Sequence, residues 1–153
     1  MADMIIEKTR SGDPVIQFSV FMENKVGRLL EIIKLLGDHN IHVMAMTTQD
    51  TTDSAILRII VDDPEGARNL MLEHAIAHTE TEVLVVELSG PMEVSQLLCV
   101  ILQAEINIHY TYSFINRPQG RGAIVIHLED IELATQALIQ HSARVLLQSD
   151  ISR

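Results

Sequence analysis

The segment 23–33, with the sequence ENKVGRLLEII, combines residue types that could hold a small anion. Gly27 stands at the start of a predicted helix, where backbone N–H groups lack intrahelical acceptors and the helix dipole is positive. Because Gly within a helix costs about 1 kcal/mol relative to Ala, its presence needs a reason. One reason is access, since a glycine lets a carboxylate approach the N–H groups of Val26, Arg28 and Leu29 closely.

The same segment allows a purely structural interpretation. Asn24 could cap the helix, or its side-chain amide could offer a donor and an acceptor to a zwitterionic or polar ligand. Gly27 could likewise serve only to fit the helix against a neighbouring strand. The residues alone leave both interpretations open.

No other spacing predicts catalysis or a metal centre. Among seven histidines, His74 and His78 lie four residues apart but lack a third ligand at a recognisable spacing. The sequence contains no nucleophile elbow, phosphate-binding loop or CxxC pair. We therefore predict no catalytic residue, no metal and no cofactor, and expect His42 and His109 to face a sheet surface or interface where protonation could tune association.

The composition restricts the class of partner. With 21 acidic against 11 basic residues, the net charge of -10 would repel nucleic acid and anionic membranes. No segment is a predicted signal peptide or membrane span, and the single cysteine suits a reducing cytoplasm. Because Cys99 lies in an apolar run, we expect it to be buried and unreactive.

Six elements are predicted for the first half of the chain. Apolar residues at helical spacing predict a helix over 26–39, and Asp63 followed by Pro64 is typical of the start of a second helix. Runs rich in β-formers and bounded by turn residues predict four strands. These strands cover 15–22, 41–49, 54–61 and 76–81.

The second half repeats this pattern. Asn40-Ile41-His42 recurs as Asn107-Ile108-His109, and a displacement of 67 residues without a gap matches many other positions. Strands are predicted at 82–88, 107–116, 122–128 and 143–149, with helices at 92–105 and 131–141. The order β-α-β-β-α-β, written twice, predicts an α+β fold of two ferredoxin-like repeats, each an antiparallel sheet with its helices on one face.

The strands are partly apolar on both faces, which predicts that both are covered. Helices can cover only one face, so we expect the other face, or a sheet edge, to meet the second repeat or another subunit; the alternative is a moderately apolar exposed face. Tyr110, Tyr112 and Phe114 alternate along one strand and are expected to point into the core.

These features resemble those of tandem ACT-domain proteins. Asn24-Lys25-Val26-Gly27-Arg28-Leu29 is similar to the ACT loop of an acidic residue or Asn, x, Pro, Gly, x, Leu, although Val26 replaces the usual proline. The resemblance implies an N-terminal extension (1–12) and two ACT-like domains (13–81 and 82–153). It also implies a ligand site formed by Asn24, Val26, Gly27, Arg28, Leu29, Asn40 and Ile41.

Asn40 and Ile41 enter this set through the resemblance alone, because the start of the second strand borders the same groove across a domain pair. They could equally be a left-handed helix end and a core isoleucine. In the second repeat, the gapless register places Glu93 and Val94 opposite Val26 and Gly27, so we expect the two repeats to differ as ligand sites.

The resemblance implies a regulatory, non-catalytic protein that binds a small amino acid or related carboxylate and forms a homodimer. The alternative is a regulatory subunit that docks on an amino-acid biosynthetic enzyme such as acetohydroxyacid synthase.

Overall fold

A computed structural model describes residues 12–23, 25–88 and 92–152, with backbone alone at 92 and 93. The six strands are antiparallel to their neighbours, and four helices of ten or more residues and one short C-terminal helix accompany them. The elements are β1 Val15–Glu23, α1 Arg28–Asp38, β2 Val43–Asp50, β3 Ser54–Val61, α2 Pro64–Glu73, β4 His78–Leu88, α3 Met92–Gln103, β5 Ile108–Ser113, β6 Gly122–Leu128, α4 Ile131–Gln140 and α5 Gln148–Ile151.

The strands form one sheet in the order β2-β3-β1-β4-β6-β5. The sheet curls until its two edge strands meet, where Ala45 forms a bridge with Phe114 and the N–H of Ile115 donates to the Met44 carbonyl oxygen at 2.8 Å. The curled sheet therefore has an outer face, which carries helices, and an inner face that it encloses.

The helices cover the outer face in two separate clusters. In the first, Ile32 and Leu36 of α1 and Met71 of α2 pack against Phe18 and Ile59. In the second, α3 and α4 supply the equivalent residues Leu97, Ile101 and Leu138. Asp63 and Asp130 cap α2 and α4, since their carboxylates accept from the N–H groups of Gly66 and Leu133 at 3.0 Å.

A third cluster fills the inner face and joins the two repeats. Ala45 and Ile60 come from the first repeat, whereas Val125, Tyr112 and Phe114 come from the second. The expectation that the second face meets the second repeat is therefore confirmed, and Tyr112 and Phe114 point into this core as predicted. Tyr110 packs at the margin of the cluster and is partly buried.

One predicted strand boundary is absent from the structure. The strands expected at 76–81 and 82–88 form the single strand β4, which pairs with β1 through residues 78–83 and with β6 through 84–88. The same strand thus ends the first repeat and begins the second. No turn is needed at this point because both ladders are aligned with one continuous backbone.

The prediction of a strand at 143–149 is wrong. Val145 forms only an isolated bridge with Val86, and the chain then turns into α5. The Asp150 carboxylate accepts from the Leu147 N–H at 2.8 Å, which caps this short helix. The buried side chain of Gln148 then joins two strands, accepting from the Ile16 N–H and donating to the Val61 carbonyl oxygen.

The gapless 67-residue register holds for only part of the repeat. It matches the buried pair Ala67 and Ala134. The buried residues of α1 and α3, however, are related by 65 residues, because Ile32 corresponds to Leu97. The β-bulges after Val43 and Ile108 show the same 65-residue relation. The repeated Asn-Ile-His tripeptides therefore do not occupy equivalent positions, and the two-residue difference is absorbed by the longer β5–β6 connection.

Cys99 contradicts the expectation of a buried thiol. It lies on α3 and is exposed. On this helix the residues that face the sheet are Leu97 and Ile101, so Cys99 falls on the outward side between the exposed Leu98 and Leu102. An apolar run of this length does not reveal which side of a helix is buried.

Candidate functional site

Gly27 is the N-cap residue of α1. The prediction that it lies within the first turn of the helix is therefore wrong by one position. Its backbone is left-handed, with φ of 89° and ψ of -11°. That conformation accounts for the glycine, because a side chain there costs roughly 1–2 kcal/mol. A Cβ atom built on Gly27 would meet no heavy atom within 4 Å, so packing against a neighbouring strand does not explain the residue.

The first turn of α1 faces this open space. The Arg28 N–H donates to the Lys25 carbonyl oxygen at 3.2 Å, and the Glu31 N–H donates to the Gly27 carbonyl oxygen at 3.0 Å. Within the described part of the chain, the N–H groups of Leu29 and Leu30 have no hydrogen-bond acceptor. Backbone donors at this positive end of the helix dipole are favourably placed for an anion.

Charged pairs flank the turn on both sides. The Lys25 ammonium lies 2.7 Å from the Glu23 carboxylate, and this hydrogen bond holds the pKa of Glu23 below and that of Lys25 above their ordinary values. Arg28 and Glu31 form a second pair at 3.1 Å. These four residues line an open cavity of about 490 Å³ together with the apolar side chains of Phe21 and Val26. The surroundings can therefore accept both charges of a zwitterion.

Asn40 and Ile41 lie at the other end of the same helix. Because α1 has eleven residues, they are separated from Gly27 by about 16 Å of helix. Asn40 is left-handed, with φ of 59°, and Ile41 is buried in the first outer cluster. Within one chain, the predicted set is thus divided between the Gly27 turn and a helix end. Leu29 is half-buried against the same cluster, and Asn24 lies outside the described residues.

A family comparison agrees with this fold and its two repeats. The model of a family described as "ACT domain pair" matches residues 14–153. The chain belongs to the ACT domain pair family. No curated protein matches its sequence.

Solved structures with the same fold include a protein of similar length. Protein BT0572 from Bacteroides thetaiotaomicron has a TM-score of 0.82 and 28% identity, with 92% of this chain and 96% of that chain covered. The ligand-free regulatory subunit of aspartate kinase from Thermus thermophilus has a TM-score of 0.59 and 15% identity, with 85% and 93% covered. The corresponding subunit from Thermus flavus has a TM-score of 0.54 and 14% identity, with 83% and 92% covered.

The second repeat of this ACT pair has no glycine at the position that corresponds to Gly27. Residues 89–91, which include the Ser-Gly-Pro turn of the sequence, lie outside the described residues. Under the 65-residue register Gly27 corresponds to Met92, so a glycine is lost in either register. The difference between the repeats as ligand sites stays a prediction.

The two repeated histidines have different environments in the ACT pair. His42 lies with its Nδ1 atom 2.8 Å from the Asp62 carboxylate, which is almost fully buried. His109 instead places its Nδ1 atom 3.0 Å from Nδ1 of His127. The proposed role of these histidines in association stays a prediction. Among the described residues, no group of three or more potential ligands is arranged to hold a metal ion, and no helix could span a membrane.

A polar network inside the ACT pair was not anticipated from the sequence. Gln17 of β1 is fully buried; its side-chain amide donates to the Tyr110 hydroxyl at 2.7 Å, and its carbonyl oxygen accepts from the Tyr112 hydroxyl at 2.6 Å. The Arg58 guanidinium lies 4.2 Å above the centre of the Tyr110 ring, which also stacks with the rings of His127 and Tyr112. The signal in the sequence was a Gln and a Ser, Gln17 and Ser19, within the otherwise apolar start of β1.

Proposed function

We propose that this ACT pair is a non-catalytic regulatory protein that binds a small amino acid or related carboxylate at the Gly27 turn. The observation that carries the proposal is the open, left-handed Gly27 at the start of α1, beside two N–H groups without a described acceptor. A carboxylate placed there would gain both hydrogen bonds and the favourable end of the helix dipole.

The surrounding side chains restrict the ligand class. Glu23 and Glu31 could accept from the ammonium of a zwitterion, and Phe21 is exposed by 47% and offers an apolar surface to a short side chain. Binding would regulate by favouring one arrangement of paired chains over another, which requires different affinities for the two arrangements.

Calorimetric titration with the twenty amino acids tests this proposal on matched glycine variants. Gly27→Ala adds a methyl group in the open approach and strains a left-handed backbone, so we expect binding of the best amino acid to weaken by at least about tenfold. Gly37→Ala is the control, since Gly37 lies within α1 and its new methyl group would also meet nothing within 4 Å. No binding by the unmodified chain, or equal binding by both variants, would refute the site.

We further propose that two chains pair when the ligand binds, because Asn40 could reach the Gly27 turn only from another copy. Sedimentation with and without the amino acid should show a dimer that the ligand stabilises, and Asn40→Ala should weaken binding. A monomer that binds with unchanged affinity after Asn40→Ala would remove Asn40 and Ile41 from the site.

A second candidate function is docking on an amino-acid biosynthetic enzyme as its regulatory subunit. It is favoured by the outward side of α3, where Leu98 and Leu102 are exposed by 38% and 74% beside Cys99. Leu102→Glu should abolish copurification of such an enzyme and leave amino-acid binding intact. Leu72→Glu, at an exposed leucine of α2, is the control and should leave copurification unchanged. Copurification that survives Leu102→Glu would exclude this surface.

A further inference from the structure

The second repeat contains a cavity of about 300 Å³. Three charged residues line it, and the first repeat has uncharged residues at the equivalent positions. Its floor is apolar, formed by side chains that include Leu88, Leu97 and Val100. Its rim carries Glu87, Arg121 and Arg144. Apolar side chains combined with a few polar groups are typical of the lining of small-molecule sites. We propose that this cavity binds a small aliphatic carboxylate, with Arg121 as its anchor.

The three charged residues form a chain of contacts around a buried carboxylate. The Glu87 side chain is exposed by only 7%; one carboxylate oxygen lies 3.0 Å from Arg121 and the other 3.2 Å from Arg144. Arg144 also approaches Asp150 at 3.7 Å. Glu87 is therefore fully paired, and Asp150 balances the second arginine. What the cluster offers a carboxylate is the set of Arg121 N–H donors that Glu87 does not occupy.

Arg121 retains most of its hydrogen-bonding capacity. A guanidinium has five N–H donors, and in the described structure only Nη1 of Arg121 contacts a side chain, that of Glu87. The Arg121 side chain is exposed by 61%, so it can turn toward the cavity without unfolding its surroundings. The planar guanidinium of Arg121 can donate two parallel hydrogen bonds to a carboxylate. The apolar lining residues can contact the aliphatic part of the same ligand.

The first repeat provides an internal comparison. Its equivalent cavity, of about 260 Å³, is lined by Ile32, Leu35 and His74, which correspond to Leu97, Val100 and His141. The matching hydrogen bonds from Phe21 to Ala77 and from Glu87 to Arg144 fix the correspondence of the two edges.

At the positions of Glu87, Arg121 and Arg144, the first repeat has Phe21, Ser54 and Ala77. Arg28, the arginine beside the first cavity, is paired with Glu31 of its own helix. The charged triad thus belongs to the second repeat alone, and repeat packing does not require it. This inference is independent of the function proposed for Gly27.

Nuclear magnetic resonance of the isotope-labelled full chain tests the proposal with two probes, isocaproate and its neutral isostere isocaproamide. We expect isocaproate to shift the amide signals of cavity residues such as Gln96 and Val100, and isocaproamide to bind at least about tenfold more weakly. Arg121→Gln should weaken isocaproate binding by a similar factor, and Arg121→Lys by less. The exposed Arg117→Gln is the matched control and should leave binding unchanged.

Each outcome decides the proposal. Shifts at the cavity that depend on both the carboxylate and Arg121 support it. Shifts confined to the Gly27 turn, equal binding of the two probes, unchanged binding by a folded Arg121→Gln variant, or no shifts with the unmodified chain would each overturn it. Should Arg121→Gln fail to fold, the comparison of isocaproate with isocaproamide on the unmodified chain still decides.

Discussion

Gln17 is the most deeply buried of the polar residues described in the structure. It is fully buried, yet its side-chain amide group satisfies the hydroxyls of two tyrosines from the other repeat. A buried polar group that loses its partner costs about 1–3 kcal/mol, whereas removal of both partners can be nearly neutral. The network therefore specifies how the repeats are aligned as well as stabilising them.

Gln17→Leu should lower the free energy of unfolding by about 1–3 kcal/mol, because the Tyr112 hydroxyl would be left without its acceptor. Urea denaturation measures this loss. Adding Tyr112→Phe should recover part of it, and the exposed Gln103→Leu is expected to change little. Strictly additive losses at Gln17 and Tyr112 would contradict a shared network.

His127 should make stability depend on pH. Burial, with smaller contributions from His109 and Arg58, holds its pKa below the ordinary value of 6.5. Well above pH 6.5 both folded and unfolded chains hold a neutral His127, so this residue contributes no pH dependence there. As the pH falls from 6.5 toward the lower folded pKa, the unfolded chain binds the proton more readily and stability is lost.

His127→Asn should therefore flatten the decline of the unfolding free energy below pH 6.5. Urea titrations at a series of pH values measure the slope, with the exposed His74→Asn as the control. An acid slope equally steep in the His127 variant would show that other groups cause it.

At the scale of the element, the two Asp caps are equivalent. Asp63 and Asp130 each accept from an N–H three residues later at 3.0 Å, at the start of α2 and α4. Asp63→Ala and Asp130→Ala should each lower the free energy of unfolding by about 1 kcal/mol. Thermal or urea unfolding checks this, with Asp53→Ala in the exposed β2–β3 turn expected to cost less than half as much. Unequal losses would mean that only one cap stabilises the whole fold.

Most elements could be predicted from local sequence because their signals are local. Alternation, helical spacing and the Asp63-Pro64 cap identify β3, α1 and α2 within a few residues of their observed bounds. Gly27 could be recognised as unusual from its type and position. Its left-handed backbone and the open space beside it depend on how the loop leaves β1, which no local pattern specifies.

The wrong predictions concern features that depend on distant partners. Whether 76–88 is one strand or two is decided by β1 and β6, which pair with its two halves. The reduction of the last strand to a bridge depends on α5, whose cap at Asp150 competes with further pairing. The register error arose because sequence identity at Asn-Ile-His outweighed the burial pattern, although burial determines how residues pack.

At the scale of the molecule, the inner core belongs to both repeats, so neither can bury its apolar face alone. Residues of β1, β2 and β3 pack there against β5, β6 and the C-terminal segment. We predict one cooperative unfolding transition, with a calorimetric enthalpy equal to the van't Hoff enthalpy. Two resolved transitions would show that the repeats fold independently.

Ile60→Ala tests the same coupling by mutation. Ile60 is fully buried in the inner core, and truncation of such a residue costs about 2–5 kcal/mol. Hydrogen exchange should show lower protection of the most stable amides in β6 as well as β3. Loss of protection confined to the first repeat would contradict the shared core.

Because β4 passes from one ladder to the other without a break, this strand offers no hinge at which the two halves could be exchanged or rotate freely. A chimera that recombines halves from two relatives would have to splice inside a hydrogen-bonded strand and keep the phase of side chains on both sides of the join. A displacement of one residue there would turn buried side chains outward in the recipient half. Any coupling between the halves would act through this strand, its neighbours and the shared inner core.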